Sequence, residues 1–268
     1  MGSYSAPEVK MVRGIAFRRD PAREECFRVV HVHKEMENLS DMSDTSRRQR
    51  IHMHMHNEMQ SLEIAAQCIV DFPDTEWDLK MELARQCWDE ARHCEISVKL
   101  SDWMGTEIGE FSEATFLYEA ACADDPILRL CGVNRALEGL AIDVFNTMRE
   151  FGDVSGDPVL EFCEDWMLAD EVTHVKMGSD WLRRLTDKDP ERRERALEFQ
   201  RTVDAIFNLG GFRGEDEENP IQLARRFREL AGFTDEENDS LSDLARKSTE
   251  EARAMAEAAT AVLDAQSK

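Results

Sequence analysis

The stretch 51–70, "IHMHMHNEMQSLEIAAQCIV", decides how the rest of the chain is read. Histidines at 52, 54 and 56 alternate, and on a strand all three would face one way, as in β-sheet zinc sites. The apolar residues argue against a strand. Ile51, Met55, Leu62, Ala65, Ile69 and Phe72 recur at helical spacing, and neither Gly nor Pro occurs before Pro73, so one helix covers the segment. On it, histidines two residues apart are separated by about 200° and cannot all serve one ion. Only His54 shares its line with Glu58, and Glu58 interrupts the apolar line between Met55 and Leu62. An ionised carboxylate is costly to bury without a cation. The carboxylate, rather than the histidine ladder, marks the site.

Outward from this helix, five of the seven prolines follow Asp or Asn, at Asp20-Pro21, Asp125-Pro126, Asp157-Pro158, Asp189-Pro190 and Asn219-Pro220. Each pair suits an N-cap followed by proline at the first helical position. The pattern predicts helices near 21–40, 46–71, 75–104, 126–151, 158–186, 190–209, 220–231 and 235–265, with a further segment over 112–123. Thr234 and Glu237 form a capping box for the last. No alternating apolar run bounded by turn residues supports a sheet, so the expected class is all-α. The helices near 46–71 and 75–104 are joined by "DFPD", and those near 126–151 and 158–186 by "GDVSGD". Short connections make antiparallel neighbours. The expected organisation is an N-terminal extension and helix over 1–45, a four-helix bundle over 46–186, and C-terminal helices over 187–268 packed on it as one domain.

Two Glu-x-x-His pairs fall in these helices, Glu90 with His93 and Glu171 with His174. That spacing projects both side chains to one helix face. One such pair is expected by chance in a chain with seven histidines and this many glutamates, but order and spacing change the reading. Glu58 precedes Glu90 by 32 residues, and Glu138 precedes Glu171 by 33. In antiparallel hairpins, equal spacing brings the four acidic positions to one level of a bundle. A Glu from each of two helices and Glu-x-x-His from each of the others is the di-iron or di-manganese carboxylate signature. The candidate ligands are therefore Glu58, Glu90, His93, Glu138, Glu171 and His174. Glu63 is the rival to Glu58, but its line is less apolar and its spacing to Glu90 is only 27.

The neighbours of this set have open readings. His54 is either an additional ligand or a hydrogen-bonded histidine lining the core. His52 and His56 face other directions, as hydrogen-bonding partners between helices or as surface residues. Asp143 either orients a ligand imidazole or serves as a surface or capping residue. Cys87 and Cys94 flank Glu90 as small core hydrophobes. Met55, Met59, Phe145 and Met167 either wall a pocket or are plain core.

Lys and Arg number 33 against 56 acids, a formal charge of -23, and such a field repels phosphate backbones. Nucleic acid is not an expected partner. Seven cysteines without a CxxC pair fit a reduced, cytoplasmic protein. The start "MGSYSAPEVK" lacks the apolar core of a signal peptide, and Ala6 stands where a myristoylation site wants Ser or Thr. No window is apolar enough for a transmembrane helix.

The strings "HNEMQSLEIA", "DEARH", "LEGLAIDV", "DEVTHVKMG" and "RELAGFTDEE" resemble, in order, a ferritin-like family of bacterial proteins catalogued mainly as a domain of unknown function. That family is similar to the tRNA-hydroxylase branch of ferritin-like di-iron enzymes. The resemblance covers roughly residues 50 to 240 and leaves the first 45 residues and "GEDEEN" without a counterpart. It implies a ferritin-like bundle with the same six residues as metal ligands, and a supporting role beside them for His56, Glu63 and Asp143. Two functions follow as expectations. One is an O2-dependent oxidoreductase with two irons, Fe/Fe or Mn/Fe, that hydroxylates, N-oxygenates or desaturates a small molecule. An external electron donor and a homodimer are compatible with it; the net charge disfavours a tRNA substrate. The alternative is a ferroxidase or iron-handling protein without an organic substrate.

Overall fold

The computed structural model describes residues 9–12, 15–18, 23–30, 43–115, 117–118, 123, 125–207 and 220–247, and these are predominantly helical. The chain divides into two compact units, Met1–Val133 with Trp181–Ala196 and Asn134–Asp180 with Leu197–Lys268.

In the first unit, helix α1 spans Asp44–Asp71 and α2 spans Trp77–Met104. The Ser43 hydroxyl accepts the Ser46 N–H and caps α1, and Gly105 ends α2 with φ 74°, a conformation in which a side chain would be strained. The Cys87 thiol donates to the Leu62 carbonyl at 3.7 Å and the Cys94 thiol to the Met55 carbonyl at 3.9 Å. As the number rises by seven along α2 it falls by seven along α1, so the two helices are antiparallel, as the short connector requires. Ile51, Met55 and Ile64 of α1 and Leu79, Leu83 and Leu100 of α2 are buried.

The all-α class holds in its coarse form, since the described residues are predominantly helical, and two short strand pairs in this unit correct the expectation of no sheet. Strands β1 (Val9–Val12) and β2 (Ile15–Arg18) pair antiparallel, and β3 (Arg28–Val30) pairs parallel with β4 (Ser112–Ala114). The hairpin had a signal in "VKMV" and "IAFR", two runs rich in strand formers separated by Arg13-Gly14. The second pair had none, because three-residue strands joined across more than 80 residues leave no local pattern. Gly109 sits beside it with φ 85°, where a Cβ would lie 2.0 Å from the Cys26 carbonyl oxygen, so only glycine lets the backbones approach. The helix expected near 21–40 is likewise corrected: residues 23–30 form a turn and β3, and 31–40 lie outside the described residues. The 112–123 segment begins as β4, with 117–118 helical.

Helix α3 (Pro126–Leu130) starts at Asp125, whose side chain accepts the Ile127 N–H at 2.8 Å. The single helix expected over 126–151 is interrupted by a π-helical stretch, Cys131–Leu137, before α4 (Glu138–Ser155). Such stretches are rare and concentrate near functional sites. Arg135 within it donates to Gln200 at 2.8 Å and also to Ser179 and Glu237, which holds the irregular turn in place.

Helix α5 spans Pro158–Thr186 and α6 Pro190–Ile206, each capped by the preceding aspartate. The caps at Asp20 and Asn219 lie outside the described residues. In the second unit, α4 and α5 are antiparallel. Gly152 abuts Glu161, where a Cβ would come within 2.6 Å of the Glu161 nitrogen, and Gly178 abuts Asn134 equally closely. Ile142, Phe145, Leu160, Met167 and Leu168 are its buried core. Helices α7 (Pro220–Leu223) and α8 (Arg225–Leu230) are followed by α9 over 235–247. The expected capping box is present: Thr234 N–H donates to Glu237 Oε2 at 2.8 Å and Glu237 N–H to Thr234 Oγ1 at 3.2 Å. The expected extension of α9 to 265 lies outside the described residues.

Candidate metal centre

In the first unit, the antiparallel register of α1 and α2 brings Glu58 to the Glu90–His93 pair. His93 Nδ1 lies 3.0 Å from Glu58 Oε2 and 3.2 Å from Glu90 Oε2, and the three side chains offer ligand atoms within 4.8 Å of one another. They are 6%, 0% and 0% exposed. Gln86, one turn before Glu90, donates to Glu90 Oε1 at 3.2 Å and fixes that carboxylate's rotation. A single imidazole proton can serve one of these carboxylates at a time, whereas a divalent cation serves all three groups at once. Glu63, the rival, is elsewhere: both of its oxygens accept from Arg23, at 2.6 and 2.8 Å.

In the second unit, Glu138 of α4 and Glu171 and His174 of α5 form a second triad of the same composition. Their ligand atoms also lie within 4.8 Å of one another, and all three are buried. His174 Nδ1 is 3.5 Å from Glu171 Oε2. Each hairpin thus carries one Glu and one Glu-x-x-His pair in a buried group spaced as metal ligands are.

The donor set is oxygen and imidazole, which suits iron or manganese. Among the described residues, neither group of ligand atoms includes a cysteine. Burial, reinforced by Glu90, pushes the Cys87 thiol up to about 11, and burial with Glu58 and Glu90 pushes Cys94 up to about 12. Both thiols donate to backbone carbonyls of α1.

The surrounding residues, His56, Glu63 and Asp143 among them, fall into two networks. In the first unit, Arg23 Nε donates to His56 Nε2 at 2.9 Å while its terminal nitrogens hold Glu63. The Gly109 N–H donates to His52 Nε2 at 2.9 Å. With its Nε2 accepting, the His52 ring carries its proton on Nδ1, whereas His56 Nδ1 faces the Gln60 amide nitrogen at 3.2 Å. His52 donates to one oxygen of Glu113, and His56 faces the other at 3.6 Å. Buried His52 and His56 therefore tie α1 to β4. Burial, then Arg23 and His52, lower His56 to about 3, and burial, then Arg50, lower His54 to about 4. His54 is a buried, neutral imidazole one turn before Glu58. Arg23 and Glu113 escaped notice because a helix was expected over each.

In the second unit, Asp143 gives both oxygens to Arg228, at 2.7 and 2.6 Å, and Arg228 also donates to the Gly139 carbonyl at 2.8 Å. Arg228 opens the string "RELAGFTDEE", whose Phe233 ring lies 4.9 Å from the Arg228 guanidinium and 4.5 Å from that of Arg135. The string itself contained the signal: its arginine and phenylalanine brace the helix that carries Glu138.

A family model described as "protein of unknown function (DUF455)" matches residues 5–239. The chain belongs to the DUF455 family. Its match begins at residue 5, so the N-terminal segment that lacked a counterpart in the resemblance is part of the DUF455 pattern. No match was found among the curated proteins or the solved structures. Among the described residues, no helix of this DUF455 chain is long and apolar enough to cross a membrane.

Proposed function

We propose that this DUF455 protein is an O2-activating, non-heme di-iron oxidoreductase acting on a small organic molecule. In this reading the two hairpins assemble as a ferritin-like bundle and their triads hold two irons together, Fe/Fe or Mn/Fe. The observation that carries it is the repetition of one buried Glu, Glu-x-x-His triad in each of two antiparallel hairpins. Equal spacing of the acidic positions along both hairpins supports a shared centre. Odd cysteine number supports a cytoplasmic setting, where an external electron donor would act.

When bound, the irons supply the electrons that reduce dioxygen. The chain's own part is to hold and shield them. Glu58, Glu90 and His93 would ligate from one side and Glu138, Glu171 and His174 from the other, leaving few protein ligands per metal and so open positions for exogenous groups. Gln86 fixes the Glu90 carboxylate. Buried Met55, Phe145 and Met167 line the same helices with apolar surface. The acidic surface favours a small substrate over a polyanion.

Two measurements test the proposal together. Elemental analysis after anaerobic Fe(II) loading should give about two metals per chain. Oxygen consumption by the reduced protein should then accelerate with a member of a panel of amines, acids and hydrocarbons, consuming that compound. Repeated Fe(II) turnover with ferric mineral, and no acceleration across the panel, would overturn the oxygenase reading in favour of iron handling. One tightly held zinc with thiolate ligation would overturn the centre itself.

A further inference from the structure

Glu138 stands where the chain changes helical register. Cys131–Leu137 is π-helical and α4 begins at Glu138 itself. A π turn closes its hydrogen bond one residue further on than an α turn, so a return of the stretch to α-helix would rotate one side of it against the other by about 100°. A carboxylate at such a junction keeps its direction only if both flanks are held, and one short segment, residues 228–237, holds both. Before the junction, buried Arg135 donates to Glu237, and its guanidinium lies over the Phe233 ring at 4.5 Å. After it, buried Arg228 donates to both oxygens of Asp143 and, at 2.8 Å, to the carbonyl of Gly139, the residue next to Glu138. The Arg228 guanidinium lies 4.9 Å from the same phenyl ring. Two glycines let the segment close. Gly232, at φ 93°, ends α8 with the Phe233 N–H on the Arg228 carbonyl at 3.0 Å and so folds the ring back beside that arginine. A Cβ on Gly139 would come within 3.3 Å of the ring.

We propose that Arg228, Phe233 and Glu237 are positioning residues for Glu138. They fix the π-to-α register, and through it the direction in which Glu138 presents its carboxylate to Glu171 and His174. The inference rests on the reading of that triad as metal ligands and adds what sets its geometry. The places of contact select positioning over stability alone. A brace that only stabilised the unit could grip α4 anywhere along its 18 residues. This one grips three residues before the ligand, one after it and five after it, on both sides of the change in register. Support of this kind acts through the ligand: the side chains behind a metal site set the orientation of the groups that bind, and with it the affinity.

Mn(II) titration of the full chain, followed by electron paramagnetic resonance of the free ion, gives the dissociation constant under conditions where circular dichroism shows each variant folded. Arg228→Lys, Phe233→Leu and Glu237→Gln should each raise it by about 10–100-fold, the usual cost of removing support from behind a ligand. Glutamine serves the third helical position of a capping box as glutamate does, so Glu237→Gln keeps the Thr234 cap and the fold with it. Asp157→Ala, which removes the cap of α5 away from the junction, should lower stability and leave the affinity unchanged. Hydrogen exchange of the amides of 131–143 in metal-free protein should quicken in the three variants and not in Asp157→Ala. A wild type that binds Mn(II) with variants that bind it equally well would overturn the proposal and leave the centre standing. An equal loss of affinity in Asp157→Ala would overturn it too, because stability alone would then set the affinity. A wild type that binds no Mn(II) would overturn the centre and this inference with it.

Discussion

Glu58 and Glu63 lie five residues apart on α1, and their surroundings assign them different work. Glu58 shares the His93 imidazole with Glu90, while Glu63 is held at both oxygens by Arg23 and is 28% exposed in its side chain. Glu58→Ala should therefore reduce bound iron from about two per chain to less than one. Glu63→Ala should retain both metals, because it removes an arginine partner and not a ligand. Its cost should appear in stability. Arg23 is nearly buried, so losing a bidentate partner that is itself partly exposed should lower the unfolding free energy by about 1–2 kcal/mol. Elemental analysis and urea titration of both variants separate the roles; metal loss in Glu63→Ala with retention in Glu58→Ala would reverse the assignment. The place of Glu58, buried beside Glu90 and His93, was legible because a carboxylate on an apolar line is costly to bury without a partner. Glu63 was not, because its partner lies 40 residues earlier in a segment where a helix was expected.

At the scale of elements, the second unit depends on how α8 meets α4. Arg228 is buried and bridges Asp143 and the Gly139 carbonyl. Breaking such a pair strands a charge, so Asp143→Ala should cost about 3–5 kcal/mol in urea unfolding. Close by, Asp204 lines a cavity of about 30 Å³ with Arg228, Asp143 and apolar side chains including Leu137, Val203 and Leu241. Burial, which Arg228 and a bond from Gln200 offset only in part, raises Asp204 to about 7. The folded state thus favours its neutral form. Its contribution to stability is complete below the unfolded value near 3.8 and disappears as pH rises through about 7. Asp204→Asn keeps the neutral form at every pH, so the variant should gain on the wild type between pH 4 and 8, by on the order of 2–4 kcal/mol. Parallel stability curves for the two proteins across that range would show that Asp204 is not so perturbed. Asp143 and Arg228 each fall in a string shared with the resembled family, but their pairing, and Asp204 beside them, could not be read from spacing because the three are far apart in the chain. The caps could be read. At Asp125, Asp157, Asp189 and Thr234, the sequence signal and the observed bonds coincide because capping is a local interaction between residues two or three apart.

For the whole molecule, the same division between local and distant separates the features that were legible from those that were not. Helical periods and hairpin connectors are local, so both long hairpins could be read, and with them the two triads, whose members are fixed by register. The π-helical stretch before Glu138 and the parallel pairing of β3 with β4 could not, because both are set by partners distant in sequence. Whether the triads act separately or as one centre is a thermodynamic question. A cation bound by the folded state alone stabilises it by about 2.7 kcal/mol at one hundred times its dissociation constant. If each triad bound its own ion independently, Glu58→Ala and Glu171→Ala would each forfeit part of the stabilisation produced by Mn(II) or anaerobic Fe(II), and the double variant would forfeit the sum. If the two triads close one di-metal centre, either substitution alone should remove nearly all of it. The shared centre therefore predicts a rise in melting temperature on metal addition that is present in the wild type, absent in both single variants and equally absent in the double. Differential scanning calorimetry with matched chelated controls measures it. Two partial losses that add would break the centre into two independent sites.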